Sequence, residues 1–381
     1  MQTLDDVCEL ITAGATEHLK QTTESVVLVG LTVGGERTIL PFRSDGAELV
    51  EMPTVKSMFE IGSVSKTFLG TLIAAFDQQG VISIEDPISK YLPNAANLRP
   101  EIGAITLREL ATHSAGFPGT GHIHQGFLQE EIRNSSLPPL GITTHWLRYN
   151  KDHLYRDLET VEQIHPTGAG YFYSPMGIGT VGHILELVTG RDYESLVREV
   201  VCDPLGLADT AYTLTVEQQQ RMVQAWFPHG QPAPHWYWGV LMCQGGLRST
   251  IDDMLTWAEA NIRAGRSEAE GALAAAMRHA RGLHLELPAP ATADGETSYW
   301  ANGIRQGLAW HHMDDGASTH TGITPFTHSF IAVDDTTQVG AVMLSSSYDN
   351  FNFMEPFSTI YGYEPIAPRF HSWFRAACEA R

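Results

Sequence analysis

The segment FEIGSVSKTFLGTLIAAFDQQG, Phe59–Gly80, joins a short stretch with two serines and a lysine to a long apolar pattern. Apolar residues recur at helical spacing through its second half, which predicts a helix over 63–79 with one broad apolar stripe. Gly80 is typical of the residue that ends a helix. The segment therefore predicts a helix that begins at its first serine.

Ser63 and Lys66 lie three residues apart, so their side chains share one face of the predicted helix. Free backbone N–H groups at a helix N-terminus favour a developing oxyanion, which suits Ser63 to nucleophilic attack. Burial by Phe59 and Phe68 would lower the pKa of the Lys66 amine and make it a base. Gly62 would let an acyl group approach closely. For this short motif alone, a serine N-cap beside a surface lysine is the commoner interpretation.

The chain has 381 residues and a formal net charge of −20. This acidity disfavours nucleic-acid and anionic-membrane partners, because both would repel it. The cysteines at 8, 202, 243 and 378 lack the spacing of a metal site and are interpreted as separate thiols. The N-terminal residues lack the basic start and apolar core of a signal peptide, and no run is long enough to span a membrane. A cytoplasmic protein is expected.

Strand patterns occur at both ends of the chain. Residues 25–42 predict a hairpin with its turn at Gly34 and Gly35, and residues 327–347 predict two strands around Asp334 and Asp335. A final helix follows. The middle of the chain instead predicts helices and long polar loops, so we expect one α/β lobe closed by the two termini, with a helical lobe inserted.

A further helix is predicted over 245–262, with Ser249 or Thr250 as its N-cap. The Pro/His-rich residues 117–145 are predicted to form a long loop that covers the cleft. The aromatic residues of WFPHGQPAPHWYWG, Trp226–Gly239, are predicted either to wall the acyl pocket or to pack in the core.

Other catalytic patterns receive less support. We find no G-x-S-x-G nucleophile elbow. The two histidines of His122-Ile123-His124 start a metal pattern that no further ligand completes at matching spacing, so no metal is expected. His311 and His312 are interpreted as polar groups of a loop.

A set of motifs in fixed order covers nearly the whole chain. The chain resembles the serine β-lactamase and penicillin-binding-protein superfamily, most closely its class C β-lactamase-like branch. That branch includes class C β-lactamases, DD-peptidases, D-amino-acid amidases, family VIII esterases and some acyltransferases. The motifs are FEIGSVSKTF, GVISIEDPISKYLP, ITLRELATHSAGFP, PTGAGYFYSPMGIGTVGHILELVTG, DPLGLADT, GGLRSTIDDMLTWAEANI, QGLAWHH and HTG.

The resemblance implies Ser63 as nucleophile, Lys66 as base and Tyr173 as the tyrosine that relays a proton. It implies an oxyanion hole from the backbone N–H groups of Ser63 and Ile323. The third motif falls on His320-Thr321-Gly322, at the edge of a strand that can receive an extended substrate. His320 would be a neutral donor at pH 7 or a switchable charge. No metal or organic cofactor is implied.

Tyr173 precedes a predicted helix with Ser174 as N-cap and Pro175 in the first turn. Pro175 is the main departure, because relatives with Tyr-Ala-Asn or Tyr-Ser-Asn carry an asparagine there that meets the lysine and the substrate amide. The departure makes efficient β-lactamase or DD-peptidase activity doubtful. Substrate-binding residues are expected at Pro175, in the third motif and in the aromatic loop at Trp236 and Trp238.

The expected fold is an antiparallel sheet flanked by helices, β-lactamase/transpeptidase-like, with 1–85 and 216–381 as the α/β lobe and 86–215 as the helical lobe. The active site would lie in the cleft between them. The expected function is hydrolysis of a small-molecule ester or amide through an acyl-enzyme. The alternatives are an acyltransferase of natural-product biosynthesis with an amine or alcohol acceptor, a β-lactamase or DD-peptidase, and a non-catalytic scaffold.

Overall fold

The computed structural model describes residues 4–21, 24–44, 51–134, 144–225, 232–288, 303–324, 327–347 and 367–380. Its strands are β1 (Glu24–Val33), β2 (Glu36–Arg43), β3 (Met58–Glu60), β4 (Arg248–Thr250), β5 (Leu285–Leu287), β6 (Ile304–Gln306), β7 (His311–His312), β8 (Ser318–Ile323), β9 (Thr327–Asp334) and β10 (Val339–Ser347). Within these residues one antiparallel sheet has the spatial order β2-β1-β10-β9-β8-β7-β6-β5, and β3 pairs separately with β4.

The two ends of the chain meet in this sheet, where β1 pairs with both β2 and β10. The predicted hairpin is confirmed, because Gly34 and Gly35 take φ of 60° and 92° in a two-residue turn that matches the strand twist. The second predicted strand pair is also confirmed. In its turn, the Asp334 carboxylate accepts hydrogen bonds from the N–H groups of Thr336 and Thr337.

Helices cover both faces of the sheet. They are α1 (Leu4–Gln21), α2 (Ser65–Gln78), α3 (Pro100–Gly103), α4 (Leu107–Ala111), α5 (His122–Asn134), α6 (Thr144–Arg148), α7 (Lys151–Thr160), α8 (Pro175–Thr189), α9 (Tyr193–Val197), α10 (Asp203–Leu205), α11 (Val216–Gln220), α12 (Ile251–Gly265), α13 (Ala272–Ala280) and α14 (Ala367–Glu379). Short 3-10 turns lie at Gly62–Val64, Ile88–Lys90, Ala95–Asn97 and Met242–Gln244, and a π-helical turn at Arg198–Cys202.

Strand β1 separates two hydrophobic cores because successive side chains of a strand point to opposite faces. Val27 and Val29 pack with α1 and α14 in one core. Val26 and Leu28 join the larger core that contains α2, α12 and α13. In that larger core α12 lies against β1, β9 and β10, and α13 packs on α2. The sheet therefore has helices on both faces, as expected.

Helix α2 is buried on every side, so the prediction of a single apolar stripe is wrong. All residues from Ser65 to Phe76 are buried, including two threonines and Lys66. Helix α13, the 3-10 turn Met242–Gln244 and part of α8 pack around it. A helix in the centre of a domain has no solvent face for polar residues to mark. The glycine Gly70 marks the tightest contact, since a Cβ there would overlap the carbonyl oxygen of Leu308.

We predict that Gly70→Ala destabilises the protein by about 2 kcal/mol, because the added methyl group overpacks the core against backbone that cannot move away. The control is Gly126→Ala in α5, where a Cβ meets nothing within 4 Å. That change should instead stabilise the protein by roughly 0.5 kcal/mol through helix propensity. Urea unfolding of both variants measures the two effects, and the same sign for both would contradict the prediction.

Two predicted elements differ from the structure. The predicted loop over 117–145 contains α5, because residues 122–134 form a regular helix, and residues 135–143 lie outside the described part. The predicted helix over 245–262 begins only at Ile251, with Thr250 as its N-cap. The residues just before it are extended because they pair with β3.

The residues from 86 to 215 contain helices and turns, in agreement with the pattern of the sequence. The division into a lobe of 1–85 and 216–381 and a lobe of 86–215 stays a prediction, as does the cleft between them. The four cysteines are free thiols, and three of them are buried, as expected.

Candidate active site

Three of the predicted site residues come together, although Tyr173 lies 110 positions from Ser63 in the sequence. The Ser63 Oγ atom lies 2.8 Å from Lys66 Nζ. The Tyr173 hydroxyl donates a hydrogen bond to the same Oγ atom at 2.7 Å. Lys66 Nζ also lies 4.8 Å from the centroid of the Tyr173 ring. The serine hydroxyl is thus held between an amine and a phenol.

The backbone at Ser63 differs from the predicted helix start. Ser63 lies in the 3-10 turn Gly62–Val64, and α2 begins at Ser65. Val64 N–H donates to the Ile61 carbonyl at 3.1 Å, which is the tighter bonding pattern of a 3-10 turn. This turn makes the sharp change of direction from β3 into α2.

Gly62 allows the turn to lie against strand β8. Its φ is 46°, and a Cβ there would lie 2.8 Å from Ile323 N and 2.9 Å from Ile323 O. Only glycine combines that backbone conformation with so close a contact. The sequence suggested that Gly62 makes room for an acyl group, whereas the structure gives the close packing of β8 as the reason. Ser63 and Ile323 consequently lie on adjoining backbone segments.

Residues of β8 and β9 fasten this contact. A Cβ on Gly322 would overlap the Ile61 carbonyl oxygen. Ser329 Oγ donates to that same carbonyl at 2.7 Å, and Thr327 Oγ1 donates to the Glu60 carbonyl at 2.9 Å. The third motif is therefore bound to the segment that precedes the serine.

The local structure at Tyr173 agrees with the sequence. Ser174 caps helix α8 through a hydrogen bond that its Oγ accepts from Gly177 N at 2.9 Å, and Pro175 is the first helical residue. Ser174 N–H donates to His113 Nδ1 at 3.1 Å. The cap and this histidine fix the backbone from which the Tyr173 phenol reaches Ser63.

Lys66 is fully buried, and burial holds the pKa of its amine well below the usual value of 10.5. A buried amine loses the hydration that stabilises its charged form, so the population of the neutral form increases. This electrostatic state suits a base that takes a proton from a hydroxyl group.

Gln244 is a residue that the sequence reasoning missed. Lys66 Nζ lies 2.5 Å from the backbone oxygen of Gln244 and 3.1 Å from its side-chain Oε1. The two residues are 178 positions apart, and no motif spacing connects them. Gln244 precedes the GGLRST motif, so only a search of the residues flanking each motif could have found it.

Three histidines, His113, His311 and His320, lie around the phenol and the amine. The His320 ring is buried, its Nδ1 donates to the Thr321 carbonyl at 2.6 Å, and burial holds its pKa well below 6.5. Of the two expectations for His320, the neutral donor is therefore favoured over the switchable charge. The His311 ring lies tilted against it, with ring centroids 4.7 Å apart. His311 and His312 form β7, so their interpretation as loop groups is wrong.

Tryptophans lie beside the turn that carries Gln244. Trp238 stacks on Trp236 with ring centroids 4.6 Å apart and lies 4.5 Å from Trp146. A Cβ on Gly246 would lie 2.9 Å from the Trp238 ring. The described part of the aromatic loop thus forms a wall next to Gln244, while residues 226–231 of the quoted segment lie outside the described residues. Substrate binding by Trp236 and Trp238 stays a prediction.

In the part of the chain that the structure describes, no three histidine, cysteine, aspartate or glutamate side chains are grouped to hold a metal ion. The histidines at 122 and 124 lie in the first turn of α5. Among all the residues that the structure describes, no helix has the length and hydropathy to cross a bilayer.

The fold has a solved counterpart. A class C β-lactamase mutant superposes with a TM-score of 0.72 at 17% sequence identity, over 96% of this chain and 97% of that one. At this identity the likeness concerns the fold alone. It confirms the expected β-lactamase-like arrangement of sheet and helices.

Two curated proteins of Escherichia coli (strain K12) are similar in sequence. A β-lactamase is 27% identical over 267 residues, which are 68% of this chain and 59% of that protein. The D-alanyl-D-alanine-carboxypeptidase/endopeptidase AmpH is 26% identical over 206 residues, 54% of this chain and 49% of that protein. The matched stretches thus span about half the length of these relatives.

The family model described as Beta-lactamase matches residues 27–355. This range includes the serine turn, helix α2, the tyrosine before α8 and strand β8. The resemblance that the motifs carried is therefore confirmed, and the chain belongs to the Beta-lactamase family.

Proposed function

We propose that this protein is a serine acyl-enzyme hydrolase that acts on a small-molecule ester or amide. The hydrogen-bonded group of Ser63, Lys66 and Tyr173 carries the proposal, with contacts of 2.8 Å and 2.7 Å to the serine oxygen. A serine that only started a helix would need neither a buried amine nor a phenol on its hydroxyl group. The β-lactamase and carboxypeptidase relatives support chemistry at an acyl carbon.

In the proposed first step, Ser63 Oγ attacks the substrate carbonyl carbon and its proton passes to the Lys66 amine. The carbonyl π electrons move to the oxygen, where the backbone N–H groups of Ser63 and Ile323 stabilise the negative charge. The bond to the leaving group then breaks, and the leaving group takes a proton from the Tyr173 hydroxyl, which recovers one from Lys66. The product of this step is an ester on Ser63.

In the second step a water molecule attacks that ester. The water oxygen bonds to the acyl carbon and the bond from that carbon to Ser63 Oγ breaks. Tyr173 takes one proton from the water, with Lys66 as its proton partner, and one proton returns to Ser63 Oγ, so the enzyme leaves the cycle unchanged. The same acyl-enzyme would pass its acyl group to an amine or alcohol if such a molecule took the place of water. Hydrolysis and acyl transfer therefore differ only in the second nucleophile.

Pro175 favours a simple ester or amide over a β-lactam or peptide substrate. It begins α8 two residues after Tyr173, at the point where related sequences place an asparagine. A prolyl side chain has no atom that can hydrogen-bond the acylamino group of such substrates. We therefore rank β-lactamase and DD-peptidase activity below esterase or amidase activity.

The test uses p-nitrophenyl esters of acetate, butyrate and phenylacetate, with and without a primary amine or alcohol. We expect phenol release and an acyl adduct on the intact protein by mass spectrometry. Free acid as the main product supports the hydrolase, and acylated acceptor as the main product supports the transferase. A chromogenic cephalosporin measures β-lactamase activity in parallel. If no ester gives either an acyl adduct or turnover, the proposal is wrong. That result would favour the alternative of a non-catalytic scaffold protein.

A further inference from the structure

The Ser63 hydroxyl has two hydrogen-bond partners, Tyr173 and Lys66. The Tyr173 hydroxyl donates to Ser63 Oγ at 2.7 Å, so the serine oxygen already receives one hydrogen. The serine has one hydrogen of its own to donate. Lys66 Nζ lies 2.8 Å from Ser63 Oγ, a distance at which a charged amine donates to the serine and a neutral amine can accept the serine hydrogen.

On its other side, Lys66 Nζ lies within hydrogen-bonding distance of two acceptors. Both Gln244 atoms near its amine are oxygens, the backbone carbonyl at 2.5 Å and side-chain Oε1 at 3.1 Å. A carbonyl oxygen accepts hydrogen bonds and donates none. A neutral amine has two hydrogens and one lone pair. Two hydrogens directed at Gln244 leave the lone pair directed at Ser63.

We propose that Gln244 is a positioning residue whose backbone and side-chain oxygens hold both N–H groups of the Lys66 amine and so direct its lone pair at the Ser63 hydroxyl. This inference rests on the proposed acyl-enzyme function and names a residue outside the three that the motifs identify. The backbone oxygen is available with any residue at 244. The side-chain oxygen is specific to this glutamine and can be tested by substitution.

The burial of Gln244 supports a specific role. The residue is 2% exposed, yet its Nε2 atom has no hydrogen-bond partner among the residues that the structure describes. A buried amide with an unused donor costs free energy compared with an apolar side chain. The contact of its oxygen with Lys66 offsets that cost. Pro175 cannot provide this contact, because it has no polar side-chain atom.

The pH dependence of Lys66 involves every titratable group that faces it. Among the described residues, Lys66 has electrostatic or ring contacts with groups on five neighbouring elements. These groups are Cys243 of the 3-10 turn, His113 after α4, Tyr173 before α8, His311 of β7 and His320 of β8. Changes at 244 leave all of them in place.

The test compares Gln244→Met, Gln244→Glu and the control Gln218→Leu across pH 5.5–10. Methionine keeps the length without the acceptor, and we expect an acylation rate about tenfold lower at every pH. Glutamate keeps an acceptor but adds a negative charge that favours the protonated form of Lys66. The acidic limb of the acylation rate against pH should therefore shift to higher pH by roughly one unit or more. At high pH the acylation rate should recover. Gln218 is buried in the cap of α11 and does not contact Lys66. Its variant should keep the wild-type pH profile.

A second readout does not depend on activity. Lysine labelled with ¹³C at Cε reports the titration of Lys66 by NMR in the folded protein, with the Lys66→Met spectrum identifying the signal. We expect the Lys66 midpoint of Gln244→Glu to lie above that of the wild type and the midpoint of Gln218→Leu to be unchanged. An unshifted midpoint and an unshifted acidic limb in Gln244→Glu would overturn the inference. If the wild type forms no acyl adduct, the proposed function fails while the NMR comparison still decides the role of Gln244.

Discussion

Alanine at position 63 is expected to abolish the acyl adduct and to lower ester turnover by about 10⁴-fold or more, because no other group replaces a lost nucleophile. The fold should remain, since the side chain of Ser63 caps no helix. Intact-mass spectrometry after brief mixing with an activated ester, together with phenol release, measures the effect.

Ser65 provides the matched control, because it is the other serine of the same motif. It is buried, and its Oγ accepts a hydrogen bond from Leu247 N–H at 3.1 Å. Ser65→Ala should lower stability by roughly 1 kcal/mol and retain the acyl adduct. An adduct that survives in Ser63→Ala, or one that is lost in a folded Ser65→Ala, would contradict the assignment of Ser63 as nucleophile.

Methionine in place of Lys66 is expected to lower acylation by about 10³-fold at every pH, because Ser63 loses the group that takes its proton. Methionine fills most of the space of the buried aliphatic chain, so the fold should persist. Pre-steady-state phenol release separates this effect from slower deacylation. The control is Lys151→Met at the exposed start of α7, which should acylate like the wild type.

The same variant has a predicted effect on stability. The folded pKa of Lys66 lies below its unfolded value, so between these two values the unfolded chain binds one more proton than the folded chain. The free energy of unfolding of the wild type therefore rises with pH in that window, by up to about 1.4 kcal/mol per unit, and Lys66→Met lacks this contribution. Urea unfolding from pH 7 to 9 should show the wild type gaining stability relative to the variant. If the free energies of unfolding of the wild type and of Lys66→Met changed in parallel with pH, a lowered pKa of Lys66 would be contradicted.

The elements that the sequence predicted correctly depend on neighbouring residues. The hairpin turn at Gly34 and Gly35 needs two residues with positive φ, and glycine provides them. The start of α8 needs a side-chain acceptor at Ser174 and a proline after it. These interactions span a few positions, so they can be identified from the order of residues alone.

The errors concern contacts that a segment makes with other elements of the fold. Arg248–Thr250 is a strand because β3 lies beside it, although its own residues continue a helical pattern. His311 is a buried strand residue because β6 and β8 flank it. Helix α2 has no solvent-exposed face over Ser65–Phe76, because α13, α8 and the turn Met242–Gln244 pack around it. For Arg248–Thr250 and α2 these neighbours lie mostly far away in the sequence, whereas β6 and β8 are close to His311 along the chain and it is their pairing that the order of residues did not reveal.

The order of residues was sufficient to identify the family, the antiparallel sheet built from both ends of the chain and three candidate residues, Ser63, Lys66 and Tyr173. The folded chain was needed to establish that Lys66 is fully buried, that Gly62 packs against Ile323 and that Gln244 contacts the amine. Motifs and turns follow from local spacing, which the order of residues contains. Burial, pKa and hydrogen bonds across 178 positions arise only when the chain closes around the amine and excludes water from it.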